Sequence, residues 1–202
     1  MILAASSQAL ISASAAQAAP SNMGPEKGQV SEAIFAGGCF WCLEPPFDKT
    51  PGVVATSSGY TGGSLANPTY DHVSGGRTGH FEALKVTYDP ARITYSELLE
   101  VFWRNIDPLD AGGQFCDRGT QYRAAIFYIN DEQRQLAESS RRAIEQSARF
   151  RGRIVTPIVA AAPFYQAEDY HQNYYRKNPI RYRLYSWNCG RARRLAKLWG
   201  ES

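Results

Sequence analysis

Residues 33–44, AIFAGGCFWCLE, restrict the fold more than any other stretch of the chain. The short apolar run Ala33-Ile34-Phe35-Ala36 stops at Gly37-Gly38, so it reads as a strand feeding a tight turn. Two cysteines follow at once and bracket a Phe and a Trp. From Cys39 onward Phe40, Leu43 and Phe47 fall at i, i+3 and i+7, one buried stripe of a helix that Pro45-Pro46 would distort or shorten. Cys39 is thereby placed where a strand hands over to a helix.

The remaining signals alternate in kind. A second strand fits residues 52–60, and GYTGGSLANPTYDHVSGGRTGH is a loop dense in Gly, Asn and Pro, of a length that compact domains reserve for function or leave disordered. Residues 80–88 alternate, with Glu82, Leu84, Val86 and Tyr88 on one face that is apolar except for the acid. Thr94 with Glu97 forms a capping box ahead of Leu98, Val101 and Phe102. A second irregular stretch, DPLDAGGQFCDRGTQYR, leads into a strand at 124–129. A polar helix from Asn130-Asp131 to about Phe150 and a strand at 154–162 complete the pattern. This order, without internal repeat, predicts a mixed α/β (α+β) two-layer sandwich.

With 202 residues, 44% of them hydrophobic, the chain can bury one core without covalent staples. Four cysteines, Cys39, Cys42, Cys116 and Cys189, are too few for a secreted disulfide framework and lack the second close pair of a zinc ribbon. The net charge of +3 is modest, but from Arg176 to Lys197 there are eight basic residues and no acid, interleaved with aromatics. Such a tail could suit a nucleic acid, yet a solvated segment packed by its aromatics is the simpler reading, and no nucleic-acid partner is expected. Residues 1–28 are rich in Ala and Ser, with Ala16-Gln17-Ala18 placed like a cleavage site but no basic leading segment. They are set apart from the domain at 29–202 and its basic tail at 176–202, and favour a periplasmic or secreted protein over a cytoplasmic one. No further apolar run is long enough to span a bilayer.

A cysteine at a helix start faces unpaired backbone N–H groups and the positive end of the dipole, so the Cys39 thiol is expected to be lowered in pKa and reactive. Zinc at Cys39 and Cys42 would need two more soft ligands, and the other cysteines and His72, His80 and His171 are scattered singly, so no metal is expected. A thioredoxin-like dithiol stays open, because C-F-W-C has that spacing. Phe40 and Trp41 instead suit the wall of an apolar pocket beside a nucleophile. Glu82, desolvated on its strand face, should be raised in pKa and able to donate a proton. Tyr70, Tyr122 and Asp117 are ambiguous in isolation.

Taken in order, GCFWCLE, GYTGG, NPTYDHVSGGRTGHFEAL, GGQFCDRGTQYRAAIF and AEDYHQNYYRKNP resemble the A-type peptide methionine sulfoxide reductases, the family acting on the S epimer of methionine sulfoxide. The likeness covers about residues 30 to 180. It implies a ferredoxin-like core with long loops and an irregular C-terminal arm, a monomer, free and protein-bound methionine sulfoxide as substrates, and no cofactor beyond an external dithiol reductant such as thioredoxin. By the same resemblance Cys39 attacks the sulfoxide sulfur, Glu82 protonates its oxygen, Tyr70 and Tyr122 hold that oxygen, Phe40 and Trp41 enclose the terminal methyl, and Asp117 orders the site. Many members carry Gly at the position of Cys42 and a recycling cysteine soon after the KNP motif. Here Cys189 comes later, so Cys42, Cys116 and Cys189 are all candidates to resolve the sulfenic acid; Cys189 is preferred because a mobile tail can swing in. A general thiol-disulfide oxidoreductase using Cys39 and Cys42 is the alternative.

Overall fold

The computed structural model describes residues 28–200; residues 1–27, which hold nearly all of the signal-like segment, lie outside them. β1 (Ser31–Gly37) pairs antiparallel with both β3 (Phe81–Tyr88) and β6 (Ala124–Tyr128), and β3 pairs antiparallel with β2 (Val53–Thr61). These four strands, in the order β6-β1-β3-β2 and joined through α1 (Phe40–Asp48) and α3 (Tyr95–Arg104), make the ferredoxin-like split βαβ core. β7 (Ile158–Ala160) adds in parallel beside β6, and β8 (Tyr165–Gln166) extends the far edge beside β2.

Strand alternation sorts the side chains. Phe35, Leu84, Val86 and Ile126 face α1, α3 and α4 (Asp131–Gln146) and form the main core with Leu43, Phe47, Leu98 and Phe102. Ile34, Ala36, Ala83, Ala125 and Phe127 point the other way, under Ala161 and Phe164. The predicted caps are present: Thr94 and Glu97 bond reciprocally at the start of α3, and Asn130 accepts from the Gln133 amide at the start of α4.

Three expectations shift. The helix from Cys39 runs through Pro45 and Pro46 to Asp48; the prolines remove two amide donors, and the burial of Phe40, Leu43 and Phe47 against the sheet outweighs the loss. The strand expected over 154–162 shortens to Ile158–Ala160, because Val155 N–H is spent on Pro108 and Pro157 has no N–H to add to the ladder. The C-terminal arm is not irregular. It is three helices, α5 (Tyr174–Lys177), α6 (Pro179–Cys189) and α7 (Arg191–Trp199), with Pro179 at the first turn of α6 and left-handed Gly190 at the corner. Trp199 Nε1–H donates to the Ile106 carbonyl at 3.1 Å, and Arg194 pairs with Asp107 at 2.7 Å, pinning α7 to the turn after α3.

Candidate active site

Because β1 runs antiparallel to β3 and β6, its C-terminal end lies beside the beginnings of both neighbours. Gly37 pairs with Ala124, and the register of Phe35 on Leu84 brings Glu82 level with the same end. Gly38 then turns the chain with φ +85, and a side chain there would meet the Gln114 Cβ at 2.6 Å. Only glycine supplies both the dihedral and the room. Cys39 follows as the N-cap of α1, with its carbonyl accepting from the Cys42 and Leu43 amides.

Phe40 N–H donates to Glu82 Oε2 at 3.1 Å. That amide is the free donor that a thiolate at the helix start was expected to use. Cys39, only 5% exposed, is pushed well above the ordinary thiol value, first by burial, then by the hydrogen bond it donates to Cys42 and by the nearby Glu82 charge. The expected lowering of its pKa is therefore overturned: desolvation exceeds what the helix end offers. Cys42, accepting from Cys39, is lowered. Both thiols are free.

Glu82 is 2% exposed and raised to about 8, chiefly by desolvation, as its place on an apolar face foretold. With Oε2 occupied by the Phe40 amide, the proton belongs on Oε1. Tyr70 opens the short helix α2 (Tyr70–Ser74), capped by Thr69, and Tyr122 closes the 3-10 turn Thr120–Tyr122 just ahead of β6. The two phenols bear on each other, and both feel the Glu82 and Cys39 charges and are raised chiefly by burial. Asp117, in the tight hairpin β4 (Gly113–Gln114) to β5 (Asp117–Arg118), accepts the Tyr185 O–H at 2.7 Å on each oxygen. Thus Cys39, Glu82, Tyr70, Tyr122 and Asp117 share one environment.

Phe40 is buried and Trp41 half-buried, and their roles divide accordingly. Phe40 packs on Tyr60 and His171; Trp41 stacks on Tyr174 at 3.7 Å and donates Nε1–H to His171 Nδ1 at 3.0 Å. That bond puts the His171 proton on Nε2, and burial lowers the ring's pKa, so it stands neutral.

Several site residues escaped the sequence reading. Glu168 accepts from the Tyr70 amide at 2.8 Å and from Tyr60 O–H at 2.9 Å, fixing α2 against β2. Glu44, fully buried and raised by desolvation to about 7, accepts from the Asn173 amide at 3.1 Å and ties α1 to the segment before α5. Tyr185 and Arg191 come from the arm. An acid directly after CFWCL was a usable signal for Glu44; nothing local marked the other three. His80, also buried, instead pins the glycine loop, with Nδ1 accepting from Gly63 and Nε2 at 2.8 Å from the Leu65 carbonyl.

The other two cysteines flank Asp117, whose charge also bears on the first pair. Cys116, exposed at the tip of the β4–β5 turn, is disulfide-bonded to Cys189 at the end of α6. Cys189 is not on a free tail, and with Asp117 this pair forms the one cluster of metal-type donors among the described residues. Its two sulfurs are bonded to each other, leaving a single carboxylate to offer.

A buried thiol facing a protonatable carboxyl and two phenols, on a ferredoxin-like frame, marks a thiol-based oxidoreductase. The family model described as peptide methionine sulfoxide reductase matches residues 31–202. A peptide methionine sulfoxide reductase MsrA of Bacillus subtilis (strain 168) is 54% identical over 168 residues, 83% of this chain and 95% of that protein. Among solved structures, methionine sulfoxide reductase A of Corynebacterium diphtheriae is 37% identical with TM-score 0.68, over 79% of this chain and 81% of that one. Mxr1 from Saccharomyces cerevisiae in reduced form is 32% identical with TM-score 0.69, over 79% and 92%. The chain belongs to the peptide methionine sulfoxide reductase family.

Proposed function

We propose that this chain reduces the S epimer of methionine sulfoxide, free and within proteins, with Cys39 as the nucleophile. The observation that carries it is the contact network that brings Glu82, Tyr70 and Tyr122 to one thiol at the start of α1. A sulfoxide is a poor electrophile until its oxygen is protonated. Glu82, held protonated by burial, donates from Oε1, while the Tyr70 and Tyr122 hydroxyls hydrogen-bond the same oxygen. Cys39 takes the oxygen: the substrate S–O bond breaks, an S–O bond forms on Cys39, and the products are methionine and a cysteine sulfenic acid. Net proton count is kept, because the proton Cys39 gives up replaces the one Glu82 spends.

Cys42 is the better-placed resolving thiol, since it is free and buried three residues from Cys39 at the same helix start, whereas Cys189 can attack only after its bridge to Cys116 is opened. Its attack on the sulfenic acid gives a Cys39–Cys42 disulfide and water. Exchange with the reduced Cys116/Cys189 pair then returns two inner thiols and leaves the bridge at the surface. An external dithiol such as thioredoxin reduces that bridge. Burial of both inner thiols speaks against a general disulfide reductase, whose protein substrate would have to reach them.

The test is incubation of the enzyme with dithiothreitol and each epimer. Loss of the S epimer that disappears in Cys39→Ser supports the reading; an idle enzyme, or a fully active Cys39→Ser, removes it. Peptide mapping after one turnover without reductant, begun with the Cys116–Cys189 bridge closed so that no exchange follows, is expected to find Cys39 joined to Cys42; a Cys39–Cys189 link would reassign the resolving step. The segment at residues 1–28 supports export of the protein, and cell fractionation checks it.

A further inference from the structure

The outer cysteines have a neighbour that electron exchange does not require. Cys116, Asp117 and Cys189 each bring one ligand-type atom to a place where all three lie within 4.8 Å of one another. Cys116 and Asp117 are consecutive at the β4–β5 turn, and Cys189 is the last residue of α6. With the bridge closed, the two sulfurs are neutral and bonded to each other, and only the carboxylate can ligate. Opening the bridge turns the same place into two thiols and a carboxylate.

The geometry suits a small tetrahedral cation. Zinc with sulfur at about 2.3 Å and oxygen at about 2.0 Å holds a sulfur and an oxygen ligand about 3.5 Å apart. Cys189 Sγ already stands 4.0 Å from Asp117 Oδ2. The freed sulfurs must part to about 3.8 Å, a gap that a swing of the exposed Cys116 side chain opens. Tyr185 O–H, 2.7 Å from each carboxylate oxygen, orients Asp117 and leaves it lone pairs to give. Cys116 N–H reaches Cys189 Sγ at 3.2 Å, a donor whose bond strengthens once that sulfur is a thiolate. Arg191, 6% exposed at the start of α7, also bears its charge on Asp117. Two thiolates and a carboxylate carry three negative charges, which a divalent cation and this buried guanidinium together balance. Thiolate ligands select zinc and its softer relatives over calcium or magnesium.

We propose that Cys116, Cys189 and Asp117 form a redox-gated metal site, shut as a disulfide and, once a dithiol has opened it, able to take one thiophilic divalent cation of the zinc class. In the opening step the Cys116–Cys189 bond breaks, the donor's two sulfurs join, and the donor's two hydrogens pass to the freed sulfurs. The cation then displaces both as protons into solvent, and water fills the fourth position on the side that Cys116 leaves exposed. While the ion is held both sulfurs are occupied, and electron transfer to Cys39 and Cys42 waits for its release. Only this last consequence rests on the proposed exchange; the site itself is tested without sulfoxide, so either reading can fail alone.

The full chain is reduced with a phosphine, which is then removed under nitrogen, and Co²⁺ is added as a coloured stand-in for Zn²⁺. Reduced wild type and Cys39→Ser/Cys42→Ser are both expected to bind one ion per chain, with tetrahedral ligand-field bands and a thiolate-to-cobalt charge-transfer band. Protein with the bridge left closed and reduced Cys116→Ser/Cys189→Ser are expected to show neither band. Asp117→Asn is expected to weaken Zn²⁺ binding by about tenfold or more, measured against a chromophoric chelator. Absence of both bands in reduced wild type, their persistence in Cys116→Ser/Cys189→Ser, or unchanged Zn²⁺ affinity in Asp117→Asn overturns the proposal. Should a variant fail to fold, reduced wild type decides alone: Zn²⁺ is expected to shield Cys116 and Cys189 from iodoacetamide, read by peptide mass spectrometry, and alkylation of both at the metal-free rate overturns the site.

Discussion

The molecule carries two cysteine pairs in opposite circumstances. Cys39 and Cys42 are free, buried and three residues apart on one helix start; Cys116 and Cys189 are bonded, near solvent and joined from a turn and a helix far apart in the chain. The inner pair is enclosed by Glu82, two phenols and a buried cation, whereas the outer pair has an exposed sulfur and one carboxylate. Burial lets an acid and a nucleophile coexist at one pH but bars a bulky reductant, and exposure does the reverse. A reductase needs both environments, and here they fall to separate pairs, which the proposed exchange would link.

Substitutions sharpen this contrast most at the inner pair. Cys39→Ser is expected to lower dithiothreitol-driven methionine formation by roughly 10³-fold or more, measured by chromatography of the product, while Cys116→Ser in the same assay stays near wild type. Equal losses would erase the distinction between the pairs. Next in size is Glu82→Gln, with a fall of about 10²- to 10⁴-fold in kcat. Its pH signature is specific: the acid is needed protonated, so wild-type activity declines as pH rises through about 8, and that limb vanishes in the variant. Stability carries the same sign. The folded state keeps a proton that the unfolded chain releases above 4.5, so the Glu82 contribution falls as pH rises from there to about 8, and the Gln variant is the more stable protein above that range by thermal melting.

The outer pair should answer to the donor instead. Cys189→Ser is predicted to leave dithiothreitol-driven turnover within about twofold but to cut thioredoxin-driven turnover by about tenfold, read as the ratio of the two rates. A ratio unchanged from wild type would make the surface bridge purely structural. The smallest effect is on stability: opening the bridge in Cys116→Ser frees a loop closed across 73 residues. By the chain-entropy argument it costs about 4 to 4.5 kcal/mol, seen in urea unfolding.

How legible these regions were in the sequence follows from how local their causes are. β1, the glycine turn, the stripe Phe40-Leu43-Phe47 and the caps at Thr94 and Asn130 depend on neighbours a few residues away and were readable. So was Glu82, because an acid breaking an apolar alternation announces its own desolvation. The Cys39 pKa was misjudged because the helix start is local and visible, while the burial that overrides it comes from the whole fold. The arm was misread because α6 turns Tyr182, Tyr185 and Cys189 inward and leaves Ile180, Leu184 and Trp187 outside, Trp187 71% exposed. Its apolar residues therefore give no single buried stripe. Arg191, Tyr185 and Glu168 have partners far away in the chain, and no window of sequence contains both ends of such a contact.

The hinge of β1 and α1 is made early in the chain, whereas Tyr185 and Arg191 close over it from the last helices. Proteins are synthesised from the N-terminus at about 5–20 residues per second. Roughly 8–30 s of synthesis therefore separate Cys39 from Arg191, and the turn that holds the thiol is made long before the helices that cover it.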